Sequence, residues 1–198
     1  MKMYVVAVGV LSFFRASVID AADFGDSVHL SSAVFRGLIV ETVYPLKVSQ
    51  YLNAPVIPTR RSASDQNTPE DTMVEMMSSM KAKDFNWNST LWSPNSLKDM
   101  QARDEKRGKK PADWIKSWER EAAFTYTLLN RVEYGKYVLI EYQATNAEGK
   151  SAYKDTMALE KINGKWFLTQ ALAADPVLAH WNEPSGRVQV ASDTIFNK

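Results

Sequence analysis

The chain contains no cysteine, which removes disulfides, thiol nucleophiles, iron–sulfur clusters and cysteine-held zinc together. Histidine is nearly as scarce. Only His29 and His180 occur, far apart in sequence, so a multi-histidine metal centre is excluded and no metal or cofactor is expected. Charge of one sign is also lacking, because 24 basic residues nearly cancel 23 acidic ones to leave a formal charge of +1. Without a whole-molecule field, nucleic acid and anionic lipid are not expected partners. No run approaches the roughly 18 apolar residues of a spanning helix, so no integral membrane segment is expected. The chain also lacks a Gly-x-Ser-x-Gly elbow, a Walker loop and a dinucleotide-binding glycine pattern, which removes serine hydrolases of that type and nucleotide-dependent enzymes.

What is present can build a core. With 198 residues, 45% hydrophobic and 11% aromatic, the chain suffices for one domain with an appendage, or two small ones. Lys2, the apolar run of residues 3–14, and Ala21-Ala22 before Asp23 match an export signal in outline. Residues 1–22 are therefore expected to be a signal peptide, and the protein periplasmic or secreted; an ordinary buried element in a cytoplasmic protein is the alternative. Residues 23–67 read as a strand-rich extension and linker. Strands are expected within 27–52, and 53–67 looks like a crossing segment, with Pro55, Pro58 and a Ser/Asp/Gln/Asn run.

Thr68-Pro69-Glu70-Asp71 is a helix start, since threonine caps free amides, proline fits the first turn and acids face the positive end of the dipole. Met73, Met76, Met77 and Met80 follow at helical spacing and predict a core face. Ser93-Pro94 opens a second helix closed by Gly108, and Lys110-Pro111 a third, on which Trp114, Ile115 and Trp118 share a face. The mixed charges of residues 98–116 predict a solvated face. Four strands are expected at 124–132, 137–144, 153–161 and 165–173, separated by the turn signals Tyr134-Gly135-Lys136, Asn146-Ala147-Glu148-Gly149 and Asn163-Gly164. In the second strand Val138, Ile140, Tyr142 and Ala144 alternate with Tyr137, Leu139, Glu141 and Gln143. One face should be core and the other half wet. Residues 182–198 are a tail or a closing strand. The fold class is α+β, helices packed on a curved antiparallel sheet.

Helices with an aromatic face, followed by a meander ending in Gly164-Lys165-Trp166-Phe167-Leu168 and including Tyr137-Val138-Leu139-Ile140-Glu141-Tyr142, resemble the NTF2-like (cystatin-like) superfamily of cone-shaped α+β domains over residues 68–181. The resemblance implies a pocket between sheet and helices, and pairing of exposed sheet faces, hence a homodimer or a protein partner. Trp92, Trp114, Trp118, Tyr126, Tyr142 and Trp166 are candidates to line such a pocket, since aromatic walls suit a flat apolar ligand; the alternative is that they fill it. The family's isomerases and dehydratases use a carboxylate or histidine base with a tyrosine or acid as oxyanion donor. Asp155, alternating with Tyr153 and Met157, is the residue expected to be a buried acid, and His180 the lone imidazole; Tyr126 and Tyr142 would be the donors. A surface role for Asp155 and a packing role for His180 are the alternatives. The reading adopted from sequence is a non-enzymatic binding or assembly domain, probed against a cofactor-free isomerase or dehydratase.

Overall fold

A computed structural model describes residues 18–19, 28–35, 38–44, 46–63 and 65–181. The bulk of the expected export segment (1–22) and the C-terminal tail or closing strand (182–198) lie outside the described residues. The architecture is α+β, with helices set against a six-stranded open antiparallel sheet.

The helices follow from their caps. α1 (Pro69–Lys81) begins with Thr68, whose Oγ1 accepts from the Asp71 amide at 3.0 Å while Asp71 Oδ2 accepts from the Thr68 amide at 3.1 Å. This reciprocal pair satisfies two of the amides a helix start leaves free. α2 (Phe85–Thr90) is a short helix that the sequence pattern did not predict. Its Asn, Ser, Thr and aromatic residues are indifferent helix formers. It forms because Asp84 Oδ1 caps the Trp87 amide at 2.8 Å and because Trp87 and Asn88 are buried against α1. α3 (Pro94–Lys106) and α4 (Pro111–Glu121) each start at the predicted proline.

β1 (Val18–Ile19) pairs with β4 (Lys47–Pro55), while β2 (Val28–Phe35) and β3 (Leu38–Tyr44) form a separate two-stranded sheet. The large sheet continues through β5 (Thr125–Tyr134), β6 (Tyr137–Thr145), β7 (Ser151–Ile162) and β8 (Lys165–Leu168), in the order β1-β4-β5-β6-β7-β8. β4 thus contributes a strand to the sheet from within the expected extension. The β7–β8 turn holds Asn163 at φ 50° and Gly164 at φ 86°. Two successive positive φ values are what a two-residue hairpin of matching twist demands, and Asn-Gly supplies them cheaply. β8 is shorter than the predicted 165–173 strand. The Thr169 amide still donates to the Ala158 carbonyl of β7, but the Gln170 amide turns to Ser96 Oγ, so there the chain leaves the ladder and leads to α5 (Pro176–His180).

The sheet carries a core on each face. Val138, Ile140 and Tyr142 of β6 join Met73, Met76 and Met77 of α1. Leu139 joins Val132, Ala158, Val177 and Trp181 on the opposite face. The expected half-wet second face holds at its ends, where Tyr137 and Gln143 are half-buried, but not in its middle: Leu139 is fully buried and Glu141 nearly so, because α5 and Trp181 cover that side. Glu141 stays satisfied there by accepting from Asn130 Nδ2. A bulge between Leu128 and Asn130 makes this arrangement possible by shifting the side-chain alternation of β5. Tyr126 and Leu128 face the first core, whereas Val132 faces the second. No described helix is long and apolar enough to cross a membrane.

Candidate functional site

Between the helices and the first face of the sheet lies a cavity of about 240 Å³. Met76 and Met80 of α1, Met100 of α3 and Met157 of β7 give it soft apolar walls. Its aromatic residues are Phe85, Trp92, Trp114, Trp118, Tyr142 and Tyr153. Asn88, Asp104 and Glu121 are among the few polar contributors. The cavity exceeds the roughly 150 Å³ that accommodates benzene in an engineered protein core. It falls just below the range of about 300–1,000 Å³ usual for larger ligands. One or two fused rings match that size.

Each ring is held by its own element. Trp114 donates its indole N–H to Asp104 Oδ2 at 2.6 Å, tying α4 to α3. The Lys109 ammonium sits 3.1 Å from the Trp114 ring centroid. Trp118 is buried and stacks on Phe85 of α2, with centroids 6.2 Å apart and planes 23° from parallel. Trp92 donates to Asn88 Oδ1 at 3.3 Å, one turn back along the chain, and residue 92 forms a parallel bridge to Leu168.

The polar end of the cavity is a tyrosine cluster on one carboxylate. Glu121, whose side chain is 14% exposed, accepts from Tyr153 at 2.6 Å and from Tyr126 at 3.2 Å, both on Oε2. Tyr126 is also within 3.1 Å of the Glu121 carbonyl. The other carboxylate oxygen meets Arg120 at 3.2 Å, but that guanidinium is 79% exposed, so water screens the pair. The rings pack edge to face, Tyr126 on Tyr142 at 6.0 Å and Tyr142 on Tyr153 at 6.2 Å. Burial is the main influence pushing all three phenols upward, and neighbouring negative charge adds to it: Asp155 beside Tyr142, Glu121 beside the other two. Tyr153 is pushed up to about 12. All three are protonated hydrogen-bond donors at neutral pH.

The residues singled out by sequence are thus placed as follows. Trp92, Trp114, Trp118 and Tyr142 come together around the cavity. Tyr126 lies behind it, nearly fully buried, and acts on the site through Glu121. Trp166 packs against the first core without lining the cavity. Its carbonyl accepts from Gln66 and Thr72 at 2.9 and 3.0 Å, and its ring lies 5.9 Å from the Lys161 ammonium. Asp155 is not a buried acid. It is exposed on β7, 3.4 Å from the Tyr142 hydroxyl, with Oδ1 accepting from the Thr156 amide. β8 pairs only with residues 159–162 of β7, so at Asp155 β7 is the open edge of the sheet. His180 ends α5, whose Val177 belongs to the second core, across the sheet from the cavity. Of the two acids that do reach the cavity, Asp104 and Glu121, Glu121 was legible: it follows Trp114 and Trp118 by seven and three residues, the spacing of one helical face. No family profile, curated protein or solved structure matches this chain.

Proposed function

We propose that this chain is a non-enzymatic binding protein whose cavity takes a small, flat, largely apolar molecule of one or two rings. The observation carrying this reading is the cavity framed by Trp92, Trp114, Trp118 and Tyr142 with methionines between them: large rigid rings give contact area at little entropic cost, and thioethers adapt to the ligand's outline. The same reading takes the helices and curved sheet as an NTF2-like cone, the protein as exported, and a homodimer as its working form. Titrating the protein with naphthalene while following tryptophan emission tests the binding reading. Saturable quenching is expected, and a Ser89→Phe variant that keeps the parent's circular dichroism should lose it, because Ser89 lines the cavity. Absence of saturation in the parent, or equal binding by the variant, refutes the assignment.

One observation favours a second reading, a cofactor-free isomerase or dehydratase: a carboxylate, Glu121, stands beside phenol donors at the cavity. A general base, however, needs a lone pair free for the substrate proton within hydrogen-bond reach. Glu121 already has about three of its four acceptor sites taken, two by Tyr126 and Tyr153 and one by the exposed Arg120, which leaves a single one for a substrate. That occupancy supports binding over catalysis. Turnover of a β,γ-unsaturated ketone that disappears in Glu121→Gln would favour the enzyme instead.

A further inference from the structure

We propose that the cavity selects an organic cation, a ring-bearing quaternary or tertiary ammonium, over a neutral molecule of the same shape. The inference rests on the binding reading above and deepens it by naming the ligand's charge. Three features of the lining carry it. Six aromatic side chains border the cavity, and the negative face of each ring attracts a cation, most strongly for tryptophan. Two carboxylates, Asp104 and Glu121, line it as well, and none of the described lining residues is Lys or Arg. The protein's own chemistry supplies the third. Lys109 already places its ammonium 3.1 Å from the Trp114 ring centroid, which shows a cation held on one face of that indole and leaves the other rings of the lining to a ligand.

The carboxylates are not neutralised by their partners. Glu121 is bonded by two neutral phenols and by Arg120, whose guanidinium is 79% exposed and screened. Asp104 accepts from the Trp114 indole, over which the Lys109 ammonium sits, so its charge is offset only in part. Both therefore leave negative potential at the cavity wall. Low-dielectric surroundings strengthen that potential for any charge that enters. A neutral apolar ligand gains from the walls but makes no use of the two acids. An anion would face both. A quaternary ammonium combines weak hydration with methyl groups that pack on ring faces, and so uses the rings and the carboxylates together.

Isothermal titration with benzyltrimethylammonium and with its neutral isostere neopentylbenzene tests the proposal. The cation is expected to bind about tenfold tighter or more, the scale that desolvated cation–π contacts reach. Glu121→Gln and Asp104→Asn should each weaken the cation by more than they weaken the isostere, which a merely structural role for these acids would not do. Binding of neopentylbenzene as tightly as the cation overturns charge selection and leaves the apolar-ligand reading standing. Failure of both probes to bind overturns the two together.

Discussion

The Glu121–Tyr153 pair is the polar linchpin of the cavity, and its strength follows from the geometry. The 2.6 Å contact joins a carboxylate on α4 to a phenol on β7, so it fastens a helix to the sheet across the site. A hydrogen bond to a charged group contributes about 1.5–3 kcal/mol, whereas the exposed Arg120 pair adds at most about 1. Tyr126 keeps the Glu121 backbone carbonyl as an acceptor when the side chain is removed, so its loss is partial. Glu121→Ala should therefore cost about 2–3 kcal/mol in urea unfolding at neutral pH, and Tyr153→Phe about 1–2 kcal/mol. In a double-mutant cycle the two should couple by about 1.5 kcal/mol, since each single change removes the same contact. In thermal unfolding the Glu121→Ala loss corresponds to a fall of about 4–12 °C for a chain of this size. Additive costs, with coupling below about 0.3 kcal/mol, refute the view that this bond ties helix to sheet.

Three further outcomes are expected. Because the phenols of Tyr51, Tyr126 and Tyr142 are raised, and Tyr153 is pushed up to about 12, the fold holds these protons more tightly than the unfolded chain. Stability is then full below about pH 10, where a free tyrosine titrates, and falls as pH rises toward 12; Tyr153→Phe should flatten the decline between those limits. Leu139→Ala should cost about 3 kcal/mol by urea unfolding, because Leu139 is fully buried in the second core; a cost under about 1 would mean that face is open. Thr68→Ala should remove about 1 kcal/mol by deleting one half of the capping pair at α1.

Much of the fold was written in local chemistry. Thr68-Pro69, Pro94 and Pro111 each combine backbone restriction with a defined place in the first helical turn, and Asn163-Gly164 has little alternative to a tight hairpin. What escaped the sequence depends on distant packing. α2 is held by an aspartate cap and by the burial of Trp87 and Asn88, not by propensity. The burial of Leu139 and Glu141 depends on a bulge in the neighbouring strand and on α5 arriving from later in the chain. The site divides the same way. Four of the six aromatic candidates converge because helical spacing and strand alternation point them there, whereas Trp166 is drawn off by Gln66 ahead of α1 and Thr72 within it, to which its backbone bonds. Asp155 was chosen by alternation alone, which gives a residue's face but not how far along the strand the cover extends. Glu121 was within reach, on the helical face that Trp114 and Trp118 mark, but its role emerges only when β5 and β7 bring Tyr126 and Tyr153 to it.

The central claim is that the aromatic cavity is open to a ligand instead of being filled by its own rings. It is tested most directly by the six indole N–H resonances of the tryptophans, assigned by single substitutions and followed during titration with naphthalene. Saturable shifts are predicted at Trp92, Trp114 and Trp118, which line the cavity, with Trp166 and Trp181 unmoved. Unchanged resonances at the first three, or shifts confined to the last two, would contradict it.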